Sequence, residues 1–593
     1  MGRGPVRSKF GTRSGAGGRL EPRLTEAGGA IDDRFHSARF MRGALAKVFP
    51  DHWSFFLGEM ALYSFVILIL TGIYLTFFFV PSLHDVVYHG SYAKLDGVHM
   101  SEAYRSTLDI SFDVRGGLLI RQIHHWAALV FVGSICLHIL RIFFSGAFRK
   151  PREINWIIGT TLFLLACVEG FCGYSLPDDL LSGTGMRIAQ GIMLSIPVVG
   201  TYVSFFFFGG QYPGEVFITR LYIVHVLLIP GLLLALIAAH LMVLWHQGHT
   251  QWPGRKQRDD NEVGDQMFPV FAIKTTALFF MTFGVLAFLG AIAQINPIYE
   301  YGPYTPLNVT SSAQPDWYFG FLEGTLRMMP GVASNTWGHT WAWNVFIPAV
   351  LLPVLFFLLM YAYPFFEQWV TGDRRPHQVL DRPRNMPART ALGAAIITMA
   401  AIIQLAGADD VIALHLSIPV EFLVYAFRAG FFVLPVVVYI ATRRACLSLQ
   451  RADRRKLRRG MAFGIAAAPT PPDGHQDSLL GGQQDQPGRT DGKPASTAYL
   501  VESRPPSGEE RAVLETRRPD ELITPVPRHL VPLPTPRRAV AQVRARLNHA
   551  YVIPRLETPS ASPARTGDSE YAAKVRGQQE GGEGHDDRGD GGG

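Results

Sequence analysis

The sequence has little charge and almost no cysteine. Only 17% of its 593 residues are charged and 48% are hydrophobic, whereas soluble globular proteins carry roughly 25% charged residues. Four cysteines, three of which (Cys136, Cys167 and Cys172) lie inside apolar runs, exclude a disulfide framework and a cysteine-rich metal site. Any metal must therefore be held by ligands other than cysteine. The basic N-terminal stretch lacks an apolar core and a small-residue cleavage site, so no cleaved signal peptide is expected.

The apolar residues are gathered into eight long, nearly uncharged runs. They have about 18 to 29 residues, which is enough to cross a ~30 Å hydrocarbon core at ~1.5 Å per residue. The predicted class is an all-α polytopic membrane protein. A ninth run, 188–210, is interrupted by Pro197 and is expected to lie along the interface. The predicted spans are 53–80, 117–144, 154–175, 218–245, 270–294, 343–364, 390–407 and 412–440.

The basic residues fall on one side of this topology. They concentrate in loops 141–152, 246–258 and 365–389 and in the tail that begins at Arg443. Because cytoplasmic loops of membrane proteins are enriched in Lys and Arg, both termini are predicted to be cytoplasmic. The net charge of +7 is accounted for by this bias, so it does not indicate nucleic-acid binding.

Four histidines stand inside two of the spans at matching intervals. His124 and His138 are 14 residues apart in the second span, and His225 and His240 are 15 apart in the fourth. At ~100° per residue these intervals return to one helix face within about 40° and 60°, whereas His125 points about 140° away from His138. Since both spans run in the same direction, His124 should lie level with His225, and His138 with His240. The pattern predicts two stacked sites with two imidazoles each.

Two imidazoles without a thiolate or carboxylate at the same level suit haem iron. The porphyrin supplies four nitrogens, whereas zinc or copper would need further protein ligands. A lone membrane histidine is more often a packing residue, but the joint pattern favours two haems. Glycine pairs spaced by 14 on spans one and three would make room for a flat macrocycle, and an arginine near each rim could pair with propionates or reach the interface. These residues are Gly58 and Gly72, Gly159 and Gly173, and Arg121 and Arg141.

The arrangement resembles cytochrome b of the cytochrome bc (quinol:cytochrome c reductase) complexes. The segment Pro315-Asp316-Trp317-Tyr318, in a loop predicted to be outside, is similar to the family's Pro-Glu-Trp-Tyr motif. The resemblance covers roughly residues 40–445. The 15-residue interval is similar to that of chloroplast and Gram-positive relatives. Asp in place of Glu, together with the long tail, resembles the actinobacterial branch, which uses menaquinol.

The resemblance implies a respiratory function and a set of partners. His124 and His225 would ligate the low-potential haem near the outer face, and His138 and His240 the high-potential haem near the inner face. Both are haem b and non-covalent, since no Cys-x-x-Cys-His motif is present. Quinol oxidised outside would give one electron to a Rieske iron–sulfur subunit and the other, through the haems, to an inner quinone. A cytochrome c subunit of dihaem type, a terminal oxidase and a homodimer in a bacterial plasma membrane are also implied.

Individual residues are predicted to serve the two quinone sites. Asp316 is the expected proton acceptor, with Tyr318 beside it and Glu323 as a second acceptor or a plain surface charge. The other residues predicted to line the outer quinone pocket are Pro315, Trp317, Tyr174, Gly183 and Met186. At the inner face His246 is predicted as a proton donor, although an interfacial histidine is an equal alternative.

Four regions follow from these assignments. They are a cytoplasmic segment with an amphipathic helix (1–50), a two-haem four-helix bundle (51–250), a four-helix region with the quinol motif (251–445), and a basic segment with a tail (446–593). Beyond residue 466 the chain holds 16 of the 40 prolines and no Trp or Phe, so the tail is predicted to be disordered.

Two other functions compete with this interpretation. A two-haem membrane anchor of a dehydrogenase would relay electrons to quinone, but it would lack the Pro-Asp-Trp-Tyr loop and the last four spans. A secondary transporter with a histidine proton relay would contain no cofactor. A visible spectrum of the purified protein separates the transporter from the haem proteins.

Overall fold

The computed structural model describes residues 37–308 and 314–462. Eight helices in this part of the chain are long and apolar enough to cross a membrane, as predicted, and the class is all-α. The helices, in chain order, are α1 (Ser37–Leu45), α2 (Trp53–Thr76), α3 (Glu102–Phe112), α4 (Gly117–Ser145), α5 (Glu153–Ser175), α6 (Leu180–Leu194), α7 (Gly200–Phe208), α8 (Phe217–Gln247), α9 (Met267–Ile292), α10 (Ile298–Tyr301), α11 (Gly320–Met328), α12 (Trp343–Thr371), α13 (Pro387–Ala406), α14 (Asp409–Leu416) and α15 (Val420–Ala462).

The first four spans, α2, α4, α5 and α8, pack around one another as a bundle. Helix α2 packs along α4, α4 contacts α5, and α5 packs along α8. Their facing sides share one apolar core, which includes Phe65, Phe131, Leu162 and Leu233. The outward sides of these helices carry exposed Leu, Ile and Phe, which is expected where lipid rather than water surrounds a helix. The bundle thus places each histidine-bearing helix, α4 or α8, next to a glycine-bearing helix, α2 or α5.

The second half of the chain encloses part of this bundle. Helix α9 packs against α2 and α4, α12 packs against α5, and α13 packs mainly against α15. Helix α11, which follows the Pro-Asp-Trp-Tyr segment, packs closely on α13, because Gly324 has no side chain to keep the two backbones apart. This packing holds the loop with the motif against one end of the bundle.

The run 188–210 forms two short helices and no membrane span, as predicted. Helix α6 begins at a cap in which Asp179 accepts hydrogen bonds from the amides of Leu181 (3.0 Å) and Ser182 (3.3 Å). It ends at Leu194, and Pro197 lies in the break before α7 starts at Gly200.

The last span differs from its predicted bounds. The sequence predicts a span over 412–440, but residues 409–416 form the separate helix α14, and α15 begins only at Val420. Ser417 adopts a left-handed backbone with φ 53° and Pro419 follows it, so the two helices cannot be continuous. The predicted bound at 412 was therefore wrong.

The strands are short and form three antiparallel pairs. Strand β1 (Val48–Phe49) pairs with β4 (Asp265–Gln266), β2 (Asp85–Val87) with β3 (His99–Ser101), and β5 (Ser334–Thr336) with β6 (His339–Trp341). The pairs β2–β3 and β5–β6 each lie within one segment between helices, and β1–β4 joins the segment before α2 to the segment before α9. The described residues do not include 1–36, 309–313 and 463–593. The predicted disorder of the tail beyond residue 466 therefore lies outside them.

Candidate functional site

The four histidines on α4 and α8 form two pairs at different depths in the bundle. The rings of His124 and His225 lie edge-on to each other, with centroids 6.2 Å apart and planes at 80°. Two imidazoles that bind one metal ion from opposite sides have centroids roughly 6 Å apart, since each metal–nitrogen bond is ~2.0 Å. His138 and His240 lie at the other end of the same two helices, against Gly58 and Gly159. We call the two ends of the bundle the His124 end and the His138 end.

Each of the four predicted glycines lies against one histidine ring. A Cβ atom built on these glycines would stand between 2.5 and 3.6 Å from Cε1 of the histidine opposite. A side chain at Gly173 would collide outright with the ring. The glycines therefore give the imidazoles their positions, in addition to the room that the sequence predicts for a flat group. The pairs are Gly72 with His124, Gly173 with His225, Gly58 with His138, and Gly159 with His240.

The residues present fit haem better than a bare metal ion. In the described part of the chain, no group of three or more His, Cys, Asp or Glu side chains could hold a metal ion. Each histidine pair thus needs a group that brings its own ligands. Arg121 and Arg141 each have a buried Nε and a buried Nη2 without a hydrogen-bond partner within the described residues. Buried cationic donors of this kind fit the carboxylates of a haem.

A cavity of about 400 Å³ opens between the helices at the His124 end. It is mostly apolar, and its size falls in the ~300–1,000 Å³ range of small-molecule sites. The histidine pair lines it together with the carboxylates of Glu169 and Asp316 and the phenol of Tyr318. One continuous space therefore connects the two imidazoles to the loop with the Pro-Asp-Trp-Tyr motif.

In this cavity Asp316 lies between two hydrogen-bonding partners, His125 and Tyr318. Its two oxygens lie 3.0 and 3.1 Å from Nε2 of His125, and the hydroxyl of Tyr318 donates to Oδ2 at 3.0 Å. The 3-10 turn Trp317–Phe319 directs Tyr318 back over Asp316. Gly170 on α5 admits the phenol, since a Cβ there would stand 2.3 Å from its oxygen. Burial raises the pKa of Tyr318 well above its usual value, so the phenol stays a donor.

The sequence misses the part that His125 takes in this group. Helical periodicity predicts that His125 does not share the face of His138, but it does not predict which residue the ring contacts. Its partner Asp316 stands 191 residues further along the chain. No local pattern in the sequence indicates a contact over that separation.

The other residues predicted for the outer quinone pocket lie around the cavity rather than all within it. Tyr174 lines it. Gly183 instead packs against the ring of Tyr304, Met186 is buried in the bundle core, and Trp317 is 42% exposed. The structure thus places Tyr174 and Asp316 on the wall of one cavity and leaves Gly183, Met186 and Trp317 outside its lining.

Glu323 lies in an ion-pair cluster outside the cavity lining. It pairs with Arg327 on the same helix, and Arg327 also pairs with Asp409 and Asp410 at the start of α14. Burial raises the pKa of Glu323, and the adjacent Arg327 opposes that rise. This cluster fastens α11 to α14, and it does not bring Glu323 to Asp316.

At the His138 end, His246 is exposed on the last turn of α8. The more enclosed imidazole is His249, whose ring lies 4.6 Å from that of Phe49. Burial, with Lys47 and Arg152 nearby, lowers the pKa of His249 to about 4. Pro315, at the other end of the bundle, precedes Asp316 in the motif loop and is partly buried.

Comparison with known proteins gives consistent relatives. The family described as cytochrome b(N-terminal)/b6/petB matches residues 129–303. The cytochrome bc1 complex cytochrome b subunit of Streptomyces coelicolor is 52% identical over 434 residues, 73% of this chain and 79% of the relative. The subunit of the same name from Mycobacterium leprae is 50% identical over 436 residues, again 73% and 79%. That of Corynebacterium diphtheriae is 47% identical over 455 residues, 75% and 82%.

A solved structure supports the fold. A chain of a hyperthermophilic respiratory Complex III superposes with a TM-score of 0.54, covering 70% of this chain and 98% of that one, at 22% identity. The relatives from Streptomyces, Mycobacterium and Corynebacterium confirm the predicted actinobacterial resemblance. With two stacked histidine pairs and relatives near 50% identity over most of their length, this multi-pass membrane protein belongs to the cytochrome b subunits of cytochrome bc1 complexes.

Proposed function

We propose that the chain oxidises quinol in the cavity at the His124 end, passing one electron to a Rieske iron–sulfur partner and the other toward an inner quinone. The observation that carries this proposal is the continuity of the cavity, which contains both a histidine pair and the group around Asp316. A quinol bound there would lie beside a proton acceptor and an electron acceptor at once. An electron-relay anchor has no need of this combination.

Two non-covalent haem b groups would supply one-electron carriers at two depths in the bundle. His124 and His225 would hold one, and His138 and His240 the other, as the ring separation and the buried histidines favour. Gly58, Gly72, Gly159 and Gly173 keep the ligating rings in place. Arg121 and Arg141 would bind the propionates with donors that otherwise have no partner among the described residues.

Asp316 would accept a proton from the quinol hydroxyl. Its carboxylate already accepts from Tyr318, and His125 Nε2 lies 3.0 Å away, so its orientation is set before the substrate binds. His125 and Tyr318 thus act as positioning residues for the base. Tyr174, on the cavity wall, would pack against the quinol ring or bond its hydroxyl.

The proposed function includes an orientation in the membrane and a set of partners. The His124 end would face the outside of a bacterial plasma membrane, with both termini cytoplasmic, because the basic loops lie at the other end. Quinol oxidation there releases protons outside. Reduction of a second quinone near His246 takes protons up inside. Menaquinol as substrate, a dihaem cytochrome c, a terminal oxidase and a homodimeric complex complete the proposal.

Addition of a menaquinol analogue to the oxidised, purified complex should reduce the b haems within the time of one turnover and then sustain cytochrome c reduction. A spectrometer that follows the haem α-band and the cytochrome c band together measures both. Boiled complex and a sample without quinol are the controls. If b haem is present but quinol leaves it oxidised, the chain does not oxidise quinol.

A further inference from the structure

One buried carboxylate in the cavity has no part in the function described so far. Glu169 stands on α5, four residues before Gly173, and its Oε1 lies 2.9 Å from Nδ1 of His225, within ion-pairing distance but not aligned for a hydrogen bond. The other oxygen, Oε2, is buried and has no hydrogen-bond partner within the described residues. The carboxylate is therefore directed at one group, the imidazole of His225.

The four histidines differ in this respect. His124 has the hydroxyl of Thr71 at 2.9 Å from its Nδ1, a neutral partner. Of the four, only His225 stands within ion-pairing distance of a carboxylate in the described ranges 37–308 and 314–462. The asymmetry distinguishes the His124 end from the His138 end by charge.

We propose that Glu169 accepts the Nδ1–H of His225 once that histidine binds its cofactor, and thereby sets the redox potential of the group that His225 would hold. This inference rests on the proposed two-haem function. A carboxylate that bonds the outer nitrogen of a metal-binding imidazole fixes its tautomer, with Nε2 toward the metal, and makes the ligand more basic. A more basic ligand stabilises the oxidised iron. Glu169 would therefore lower the midpoint potential at the His124 end and leave the His138 end unaffected.

The fold keeps the carboxylate of Glu169 beside the ring of His225. Gly173 brings α5 so close to α8 that a Cβ there would meet the ring of His225 at 2.5 Å. Glu169, one turn earlier on the same helix, then lies beside the Nδ1 edge of that ring. The carboxylate is a positioning and tuning residue, and it does not itself need to bind the cofactor.

The test is a potentiometric redox titration of the two b haems in the purified complex, with Glu169→Gln compared with the unaltered chain. The midpoint at the His124 end should shift to a more positive value, and the other midpoint should stay. Glu59→Gln is the matched control, since Glu59 is also a carboxylate inside a span, but its partner is Thr275 at 2.6 Å rather than a histidine. In this control the midpoint at the His124 end should not move.

Glu169→Asp keeps the charge one methylene further from the ring and should give a smaller positive shift. It also decides the question if the Gln variant fails to retain haem. An unmoved or negative midpoint at the His124 end, or equal shifts at both ends, would overturn the tuning role. A preparation that contains no haem at all would instead contradict the proposed function, so the two failures are distinguishable.

Discussion

Asp316→Asn is expected to lower quinol oxidation by about a hundredfold or more, since a positioned acid–base group contributes ~10²–10⁴-fold. Asn keeps the size of the side chain and can still accept from Tyr318, so the cavity should keep its shape. The base is lost, because a neutral amide does not take up the quinol proton. Steady-state quinol:cytochrome c reductase assays across pH, with haem spectra recorded on the same samples, measure the effect.

Asp316→Glu serves as the matched control, because it restores a carboxylate and should retain substantial turnover. The haem spectra of both variants should match those of the unaltered complex. Undiminished turnover in the Asn variant across the pH range would refute the role of Asp316 as the proton acceptor. Glu323 would then need testing, although its ion pair with Arg327 leaves it less suited.

Replacing His138 or His240 with a residue that cannot bind iron is expected to remove half of the b haem. The haem at the His138 end depends on this pair, whereas the His124 end has ligands of its own. Dithionite-reduced spectra and extracted haem per chain measure the loss. Retention of both haems in either variant would contradict the pairing.

His125 is the matched control on the same helix, directly beside a proposed ligand. Its ring turns to Asp316 instead of His225, so His125→Ala should retain both haems. Loss of a haem in this variant would show that His125, and not only His124, faces a haem. A fall in quinol oxidation with both haems intact would agree with its position beside the proposed base.

The sequence predicts those features that depend on local periodicity. Fourteen and fifteen steps along a helix decide which histidines share a face, and the same steps pair the glycines with them. In the structure each of these four glycines lies against a histidine ring. Span number follows equally well, since the length and polarity of each run are local properties.

Contacts between distant segments could not be predicted in this way. The bond from His125 to Asp316 and the approach of Glu169 to His225 depend on how helices turn toward one another. In the sequence Glu323 is equally consistent with a charged residue on a helix surface. Its neighbour Arg327 reaches Asp409 and Asp410 only because α11 lies close to α14. The start of α15 was misplaced because a single left-handed residue, Ser417, decides it.

The most direct test of the two-haem bundle is to count haem b per chain in the purified complex. A pyridine haemochrome assay, with the amount of this chain determined by amino-acid analysis, gives the ratio after the haems of cytochrome c partners are subtracted by their separate α-band. Two extractable b haems per chain are expected, because the bundle holds two complete histidine pairs. A ratio of one, or none, would contradict the account.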